Sequence, residues 1–412
     1  MTRRVVITGM GTINALGFDV PTYWKALVAG KSGVSNIEQF DTTAYKVHFG
    51  GEVKNFDAEK LLDGENPRRL DRFAQFGLAA AVLAVKDCGI DFKKEDPFRC
   101  GVVLGSGIGG LTEFETQHSR LVHEGPDKVS PFIITKMIAN SASGIISIHF
   151  GLRGHNTTVA TACSSAAHAL GDSLRTIQLG HADVMVSGGA EATMTPMGVA
   201  GFSNMKALSR RNNEPQRASR PFDKDRDGFV LAEGAGILIL EELEHAKKRG
   251  ATIYAELLGV GSTADAHHIT SPHPDGAGAG RSMQMALKDA HLDPQDIQYI
   301  NAHGTSTPQG DIAETKAMKA VFGSHAKKLA VSSTKSILGH TLGASGGIEL
   351  IATIMSIRTG VVHPTINLDN PDPVCDLDYV PHTAREMPVR FALSNSFGFG
   401  GHNCTLAVGA LR

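Results

Sequence analysis

The chain lacks any uninterrupted apolar stretch approaching the ~18 residues that would suggest a membrane span, so no membrane-spanning role is expected. It also lacks an excess of either charge. Lys and Arg number 40 against 42 Asp and Glu, a net charge of -2, which gives none of the basic footprint of a nucleic-acid binder. Cysteine is sparse. Cys88, Cys100, Cys163, Cys375 and Cys404 are odd in number and scattered, with no C-x-x-C pair, which points to a reduced, cytoplasmic chain without disulfides or a zinc ribbon. The opening MTRRVVITGMG has only three consecutive apolar residues behind its arginines, so neither a secretory h-region nor a transit peptide is expected there. No Pro- or Ser-rich linker divides the chain.

What is present is core material and glycine. Of 412 residues, 42% are hydrophobic and 20% charged, enough for a large core and inconsistent with disorder. The 46 glycines cluster in GSGIGG, GGAEATM, GASGG and GFGFGG, where tight turns and close backbone approach are expected. Short apolar runs (RRVVITGMG, CGVVLGSG, ADVMVSGG, GILILEEL, YAELLGVG, QYINAHG, LAVSSTK) read as buried strands ending in small residues. Between them RFAQFGLAAAVLAVKDCG, SSAAHALGDSLRTIQLG, RSMQMALKDAHL and IELIATIMSIRTG have helical periodicity, the alternation of an α/β protein. Ala84–Asp91 (AVKDCGID) also echoes Ala286–Asp293 (ALKDAHLD), and Gly9 and Gly11 close a strand much as Gly259 and Gly261 do. Two similar α/β halves with a site between them are the expectation.

Two motifs point elsewhere on their face. Gly105–Gly110 (GSGIGG) contains the G-x-G-x-x-G that cradles a dinucleotide pyrophosphate. It lies far from the start of the chain, and the acidic residue expected to end a second strand falls instead in the loop VHEGPDK. A close-packed turn is the better reading. Asp223–Gly228 (DKDRDG) opens like a calcium loop, but its twelfth position is Gly234 rather than a bidentate glutamate. His267, His268 and His273 have no zinc-motif partners, and no metal or cofactor is expected.

The run Val159–Leu170 (VATACSSAAHAL) carries the chemistry. A strand is expected to end at Thr161 and a helix to open at Cys163. That position exposes the thiol to the helix dipole and unpaired N–H groups, which favour the thiolate and can bind an oxyanion. His303 follows a strand within NAHGTSTPQGD, and His340 sits in a small-residue loop after KSILG.

Together these motifs resemble the β-ketoacyl-acyl carrier protein synthases of the thiolase-like condensing enzymes, nearest the type II enzymes of dissociated fatty-acid synthesis. The likeness runs from VVITGMG through LDRFAQF (70–76), TACSSA, RPFDKDRDGFV (220–230), HGTSTPQGD and the KSxxGH element to NSFGFGGHN (395–403). A histidine at 340, rather than asparagine or a second cysteine, resembles the elongating enzymes. The resemblance implies a thiolase-like fold, two α/β halves (1–250 and 251–412) in α-β-α-β-α layers. It implies Cys163 as nucleophile, His303 and His340 as enolate stabilisers, Lys335 as the holder of their charge network and Glu349 as its support. The amides of Cys163 and Phe399 become the oxyanion hole, with Phe399 also a gate. Thr305 and Thr307 become pantetheine contacts, and Ile108 and Phe202 line an acyl tunnel. An acidic acyl carrier protein is the implied partner, docking on Arg68, Arg69, Arg72, Lys206, Arg210 and Arg211, and the implied assembly is a homodimer. Ile337–Leu338, Gln309 and His402 depart from the commoner family residues without touching a catalytic group. An aromatic-polyketide ketosynthase shares the Cys–His–His set. A catalytically silent family partner would lack Cys163.

Overall fold

The computed structural model describes residues 3–412. Its centre is a ten-stranded sheet. The first five strands are β1 (Val5–Asn14), β2 (Cys100–Gly105), β3 (Asn156–Val159), β4 (Val184–Glu191) and β5 (Gly234–Glu242). The second five are β6 (Ala255–Ala264), β7 (Tyr299–Asn301), β8 (Ala330–Ser332), β9 (Phe391–Gly398) and β10 (His402–Gly409). The spatial order is β8-β7-β9-β10-β6-β1-β5-β4-β2-β3. Read outward from the middle, β1-β5-β4-β2-β3 repeats as β6-β10-β9-β7-β8. In both runs the pairings go antiparallel, antiparallel, parallel, parallel. The runs join only where Val5–Ile7 pair with Ala255–Leu257.

Six helices complete the layers: α1 (Arg72–Cys88), α2 (Ser141–Phe150), α3 (Ser165–Gln178), α4 (Ala277–Ala290), α5 (Pro308–Phe322) and α6 (Ser345–Thr359). Side-chain alternation on the strands decides who packs on whom. Val102, Leu104, Ile237 and Ile239 point to the core of α1 and α2, whereas Val103, Leu238 and Leu240 point to that of α3 and α6. In the second half Ile300, Leu393 and Ala407 face α4 and α5, while Tyr299, Ala392 and Leu406 meet the same α3 and α6 core. The result is helix, sheet, helix, sheet, helix. As the middle layer, α6 has no solvent face, and Ile348, Leu350, Ile351, Ala352 and Ile354 are all fully buried.

The sequence echo falls on equivalent structure. A Cβ on Gly11 would stand 2.7 Å from the Ala84 amide, and one on Gly261 2.6 Å from the Ala286 amide. Glycine there lets β1 press against α1 and β6 against α4. Both middle helices are also entered alike, through 3-10 turns at Ala162–Ser164 and Leu342–Ala344. Each turn starts on a residue in the left-handed region, Ala162 (φ 50°) and Leu342 (φ 48°).

Those turns correct the local expectation. The strand before Cys163 ends at Val159, not Thr161, and the α-helix opens at Ser165, not Cys163. The left-handed Ala162 breaks the chain direction and inserts the extra turn. The seven expected strands and four expected helices are present. Strands β9 and β10 and helices α2 and α5 had no clear sequence signal.

Candidate active site

The two halves meet at the C-terminal ends of their strands, where a 450 Å³ cavity is lined by Cys163, His303, His340, Thr305, Thr307, Phe229, Phe399 and Lys206. Cys163 comes from the first half, and both histidines and Phe399 from the second. Ser164 stitches the halves together, its Oγ lying 2.9 Å from the Ser396 carbonyl and 2.8 Å from that of His402. This holds the Cys163 turn against the β9–β10 loop. In that loop Phe399 is followed by Gly400 (φ 82°) and Gly401 (φ 75°), a left-handed pair that turns the chain back into β10.

The thiol behaves differently from the sequence expectation. Burial pushes Cys163 up to about 12. Lys335 and the backbone amides of Phe399 and of Cys163 itself favour the thiolate, and Glu191 opposes it. Desolvation outweighs the local dipoles, so the resting group is a thiol. The amides of Phe399 and Cys163 nevertheless both lie beside the sulfur.

Both imidazoles are neutral. Burial and the neighbouring Lys335 hold His303 and His340 well below the usual imidazole range, with His340 adding to the effect on His303. Their rings stand edge to face, centroids 5.4 Å apart. Donors fix the tautomers. The Leu342 N–H donates to His340 Nδ1 at 3.3 Å, with the Ser345 hydroxyl 3.0 Å from the same atom, and Lys335 Nζ, which can only donate, lies 3.4 Å from His303 Nδ1. Each proton therefore sits on Nε2, and His340 Nε2 is buried with no partner in the protein. The site presents donors with nothing yet to receive them.

Behind the imidazoles, Lys335 Nζ lies 2.5 Å from Glu349 Oε1, with side-chain exposures of 1% and 3%. Burial pushes Glu349 up to about 7 against the pull of Lys335. A second buried carboxylate, Glu314, accepts the amides of His303 (2.9 Å) and Gly304 (2.8 Å) and locks the loop after β7. Sequence reasoning missed Glu314. Its only signal was an acid on the helix after HGTSTPQGD.

Other expected residues are distributed unevenly. The Thr305 and Thr307 hydroxyls lie 3.0 Å apart at the cavity wall. Phe202 packs in the apolar cluster of Cys163 and Phe229, its ring 5.5 Å from that of Phe229, but it does not line the cavity. Ile108 is 44% exposed and stands outside the cavity altogether. Its GSGIGG loop turns its amides onto the Glu191 carboxylate. Of the basic set, Arg68, Arg69, Lys206 and Arg210 are exposed. Arg211 is half-buried and donates to the Asp225 carbonyl at 2.7 Å. Arg72 does not belong in a docking patch. It is half-buried, 2.7 Å from the buried Glu233, with its guanidinium over the Phe76 ring.

Comparison with known proteins fits this geometry. Residues 2–246 match the β-ketoacyl synthase N-terminal domain and residues 254–369 its C-terminal domain. The chain belongs to the β-ketoacyl synthase family. Within that family it is 52% identical over 405 residues to the 3-oxoacyl-[acyl-carrier-protein] synthase 2 of Synechocystis sp., covering 98% of this chain and 97% of the relative. To the synthase of the same name from Staphylococcus aureus strain COL it is 50% identical over 404 residues, with 98% and 97% coverage. Among solved structures, a β-ketoacyl synthase from Burkholderia phymatum superposes with a TM-score of 0.92 at 36% identity over the full length of both chains. A type II polyketide ketosynthase in complex with its acyl-carrier protein gives 0.93 at 37%, again over both full chains. Among the described residues no helix is long and apolar enough to cross a membrane.

Proposed function

We propose that this β-ketoacyl synthase elongates fatty acids, condensing malonyl-acyl carrier protein with an acyl chain held on Cys163. The observation that carries the reading is the cavity in which one thiol from the first half meets two neutral imidazoles from the second, both with Nε2 protonated. The names of the half-identical relatives favour the fatty-acid substrate over a polyketide one.

In the first half-reaction the Cys163 sulfur attacks the acyl thioester. The oxyanion lies against the amides of Cys163 and Phe399, the bond to the carrier's sulfur breaks, and the thiol proton leaves with the carrier. Malonyl-carrier protein then places its thioester oxygen against the Nε2–H groups of His303 and His340. The carboxylate departs as CO2 and its electron pair becomes an enolate held by those donors. Neutral imidazoles suit the task, because they donate without surrendering a proton to the carbanion. The enolate carbon attacks the acyl-Cys163 carbonyl. The carbon–sulfur bond breaks, 3-oxoacyl-carrier protein is released, and the Cys163 thiolate takes up a proton from solvent. Lys335 and Glu349 hold His303 in this tautomer, Thr305 and Thr307 contact the pantetheine, and Phe399 gates the cavity.

Arg68, Arg69, Lys206 and Arg210 remain as the docking surface for an acidic carrier, with Arg211 at its margin. The outer edge supports reading the assembly as a homodimer. Strand β3 ends the sheet unpaired, and Ile108, Phe132, Ile134 and Ile138 are exposed in the loop and helices beside it. A second copy over this face would cover Ile108 as an acyl-tunnel wall. Buried, unpaired cysteines suit the cytoplasm.

The test combines the purified protein with acyl- and malonyl-carrier proteins and follows products and the Cys163 peptide by mass spectrometry. A 3-oxoacyl product two carbons longer, with acylation at Cys163 that Cys163→Ala abolishes, is the expected outcome. Repeated condensation without reduction would favour a polyketide role, and an unacylated Cys163 with no product would exclude both.

A further inference from the structure

Glu191 closes β4, is fully buried, and has no part in the chemistry above. Its carboxylate nevertheless collects four donors. Oε2 accepts the N–H groups of Gly107 at 2.7 Å and Gly343 at 3.0 Å. Oε1 accepts the Ile108 N–H at 3.2 Å and stands 3.2 Å from the Ser106 hydroxyl. Three of these donors belong to the glycine loop after β2, and the fourth to the 3-10 turn that enters α6. In that turn Leu342 holds a left-handed conformation and its amide donates to His340 Nδ1 at 3.3 Å, beside the hydroxyl of Ser345, the next residue after the turn, which lies 3.0 Å from the same nitrogen. There is no slack between them, since a Cβ on Gly343 would fall 2.5 Å from Glu191 Oε2.

We propose that Glu191 is a positioning residue that clamps the Leu342–Ala344 turn to the Gly105–Gly110 loop, so that the Leu342 amide and the Ser345 hydroxyl next to it keep His340 with its Nε2–H toward the malonyl thioester. The clamp joins the loop that carries Ile108 to the imidazole that stabilises the enolate, two features the sequence places more than 200 residues apart. Four donors on one carboxylate are a costly arrangement to bury unless the geometry is needed, because removing the acceptor strands each of them. The inference rests on the enolate-stabilising role of His340 given above.

A second consequence separates positioning from general stability. Glu191 is among the charges that oppose ionisation of Cys163. Glu191→Gln keeps the size and, with its oxygen at the Oε2 position, the Gly107 and Gly343 bonds. It places an NH2 against the Ile108 amide and removes the charge. Glu191→Asp keeps the charge but withdraws it by one methylene. Malonyl-carrier protein decarboxylation and iodoacetamide alkylation of Cys163 at pH 8.5 are measured for wild type, both variants, His340→Ala and Cys163→Ala. For Glu191→Gln, kcat for decarboxylation is expected to fall at least tenfold with KM little changed, while alkylation becomes faster. For Glu191→Asp, decarboxylation falls and alkylation stays near wild type. Decarboxylation within twofold of wild type in Glu191→Gln overturns the proposal. So does a parallel fall of both rates with the melting temperature, or failure of both variants to fold, any of which assigns Glu191 to stability alone. If His340→Ala decarboxylates normally, the role of His340 itself is wrong. Normal controls with a wild-type Glu191→Gln sink only the clamp.

Discussion

Replacing Lys335 by Met, Glu349 by Leu, or both, separates what the buried ion pair does for stability from what it does for chemistry. At 2.5 Å, with both side chains almost wholly shielded from water, the attraction is about 7 kcal/mol at an effective dielectric of ~20. Desolvating each ion costs several kcal/mol, so the pair nearly cancels, whereas either ion alone is left uncompensated at about 3–5 kcal/mol. Unfolding entropy of about 2.1 cal/mol/K per residue converts about 4 kcal/mol into a melting-temperature loss of about 5 °C for each single variant. Lys335→Met/Glu349→Leu, apolar and of similar volume, is expected within about 2 °C of wild type by the same conversion. Calorimetry of the four proteins reads this directly. Activity follows a different pattern. The double variant regains stability but not decarboxylation, because His303 Nδ1 has lost its donor and no longer favours the Nε2–H form. Additive losses in the double variant, or recovery of decarboxylation with stability, would refute the reasoning.

Three further outcomes follow. With Cys163 pushed up to about 12, the thiolate fraction grows tenfold per pH unit throughout the neutral and mildly alkaline range. Alkylation of the resting enzyme should therefore keep rising through pH 10, and a plateau near pH 8 would show that the helix entry wins over burial after all. Arg68→Glu and Arg69→Glu, at exposed positions, should raise KM for carrier-bound substrate without moving the melting temperature. Arg72→Ala should do the reverse, because it strands the buried Glu233, and thermal scans beside steady-state kinetics tell the two apart. Gly343→Ala pushes a methyl into the Glu191 carboxylate, an overpacking that typically costs about 1–3 kcal/mol. Decarboxylation should fall more than Cys163 acylation, and an equal loss of both would place the strain outside the His340 turn.

The layered fold was legible where the core demanded it. Val102–Leu104 and Ile237–Leu240 are apolar on every residue because both faces of the sheet are covered, and a continuous run is what that requires. The repeat was legible through AVKDCGID and ALKDAHLD, since the same helix must meet the same paired glycines in each half. Strand β3 was expected before Cys163, but its bounds were not legible, because its residues NTTV at the sheet edge are exposed or half-buried and mostly polar. It is a strand because β2 lies beside it.

The site divides the same way. Local sequence determined the reacting groups: a cysteine among small residues, histidines after NA and ILG, and a lysine in KSILGH. Only the tertiary structure decided how they behave. Cys163 was expected to ionise easily from its place near a helix entry, yet burial in an apolar cluster drawn from distant segments keeps it protonated. Arg72 reads as surface charge beside Arg68 and Arg69 but is spent on Glu233, a residue 161 positions away. Glu191 and Glu314 look like ordinary acids, yet Glu191 is committed to backbone amides brought in by distant loops, and Glu314 to those of the loop that precedes its own helix. Sequence fixes which chemical groups are available, because that is covalent. Charge state, tautomer and partnership depend on solvent exclusion and on which donors the folded chain carries to each atom, and these exist only once the chain has folded.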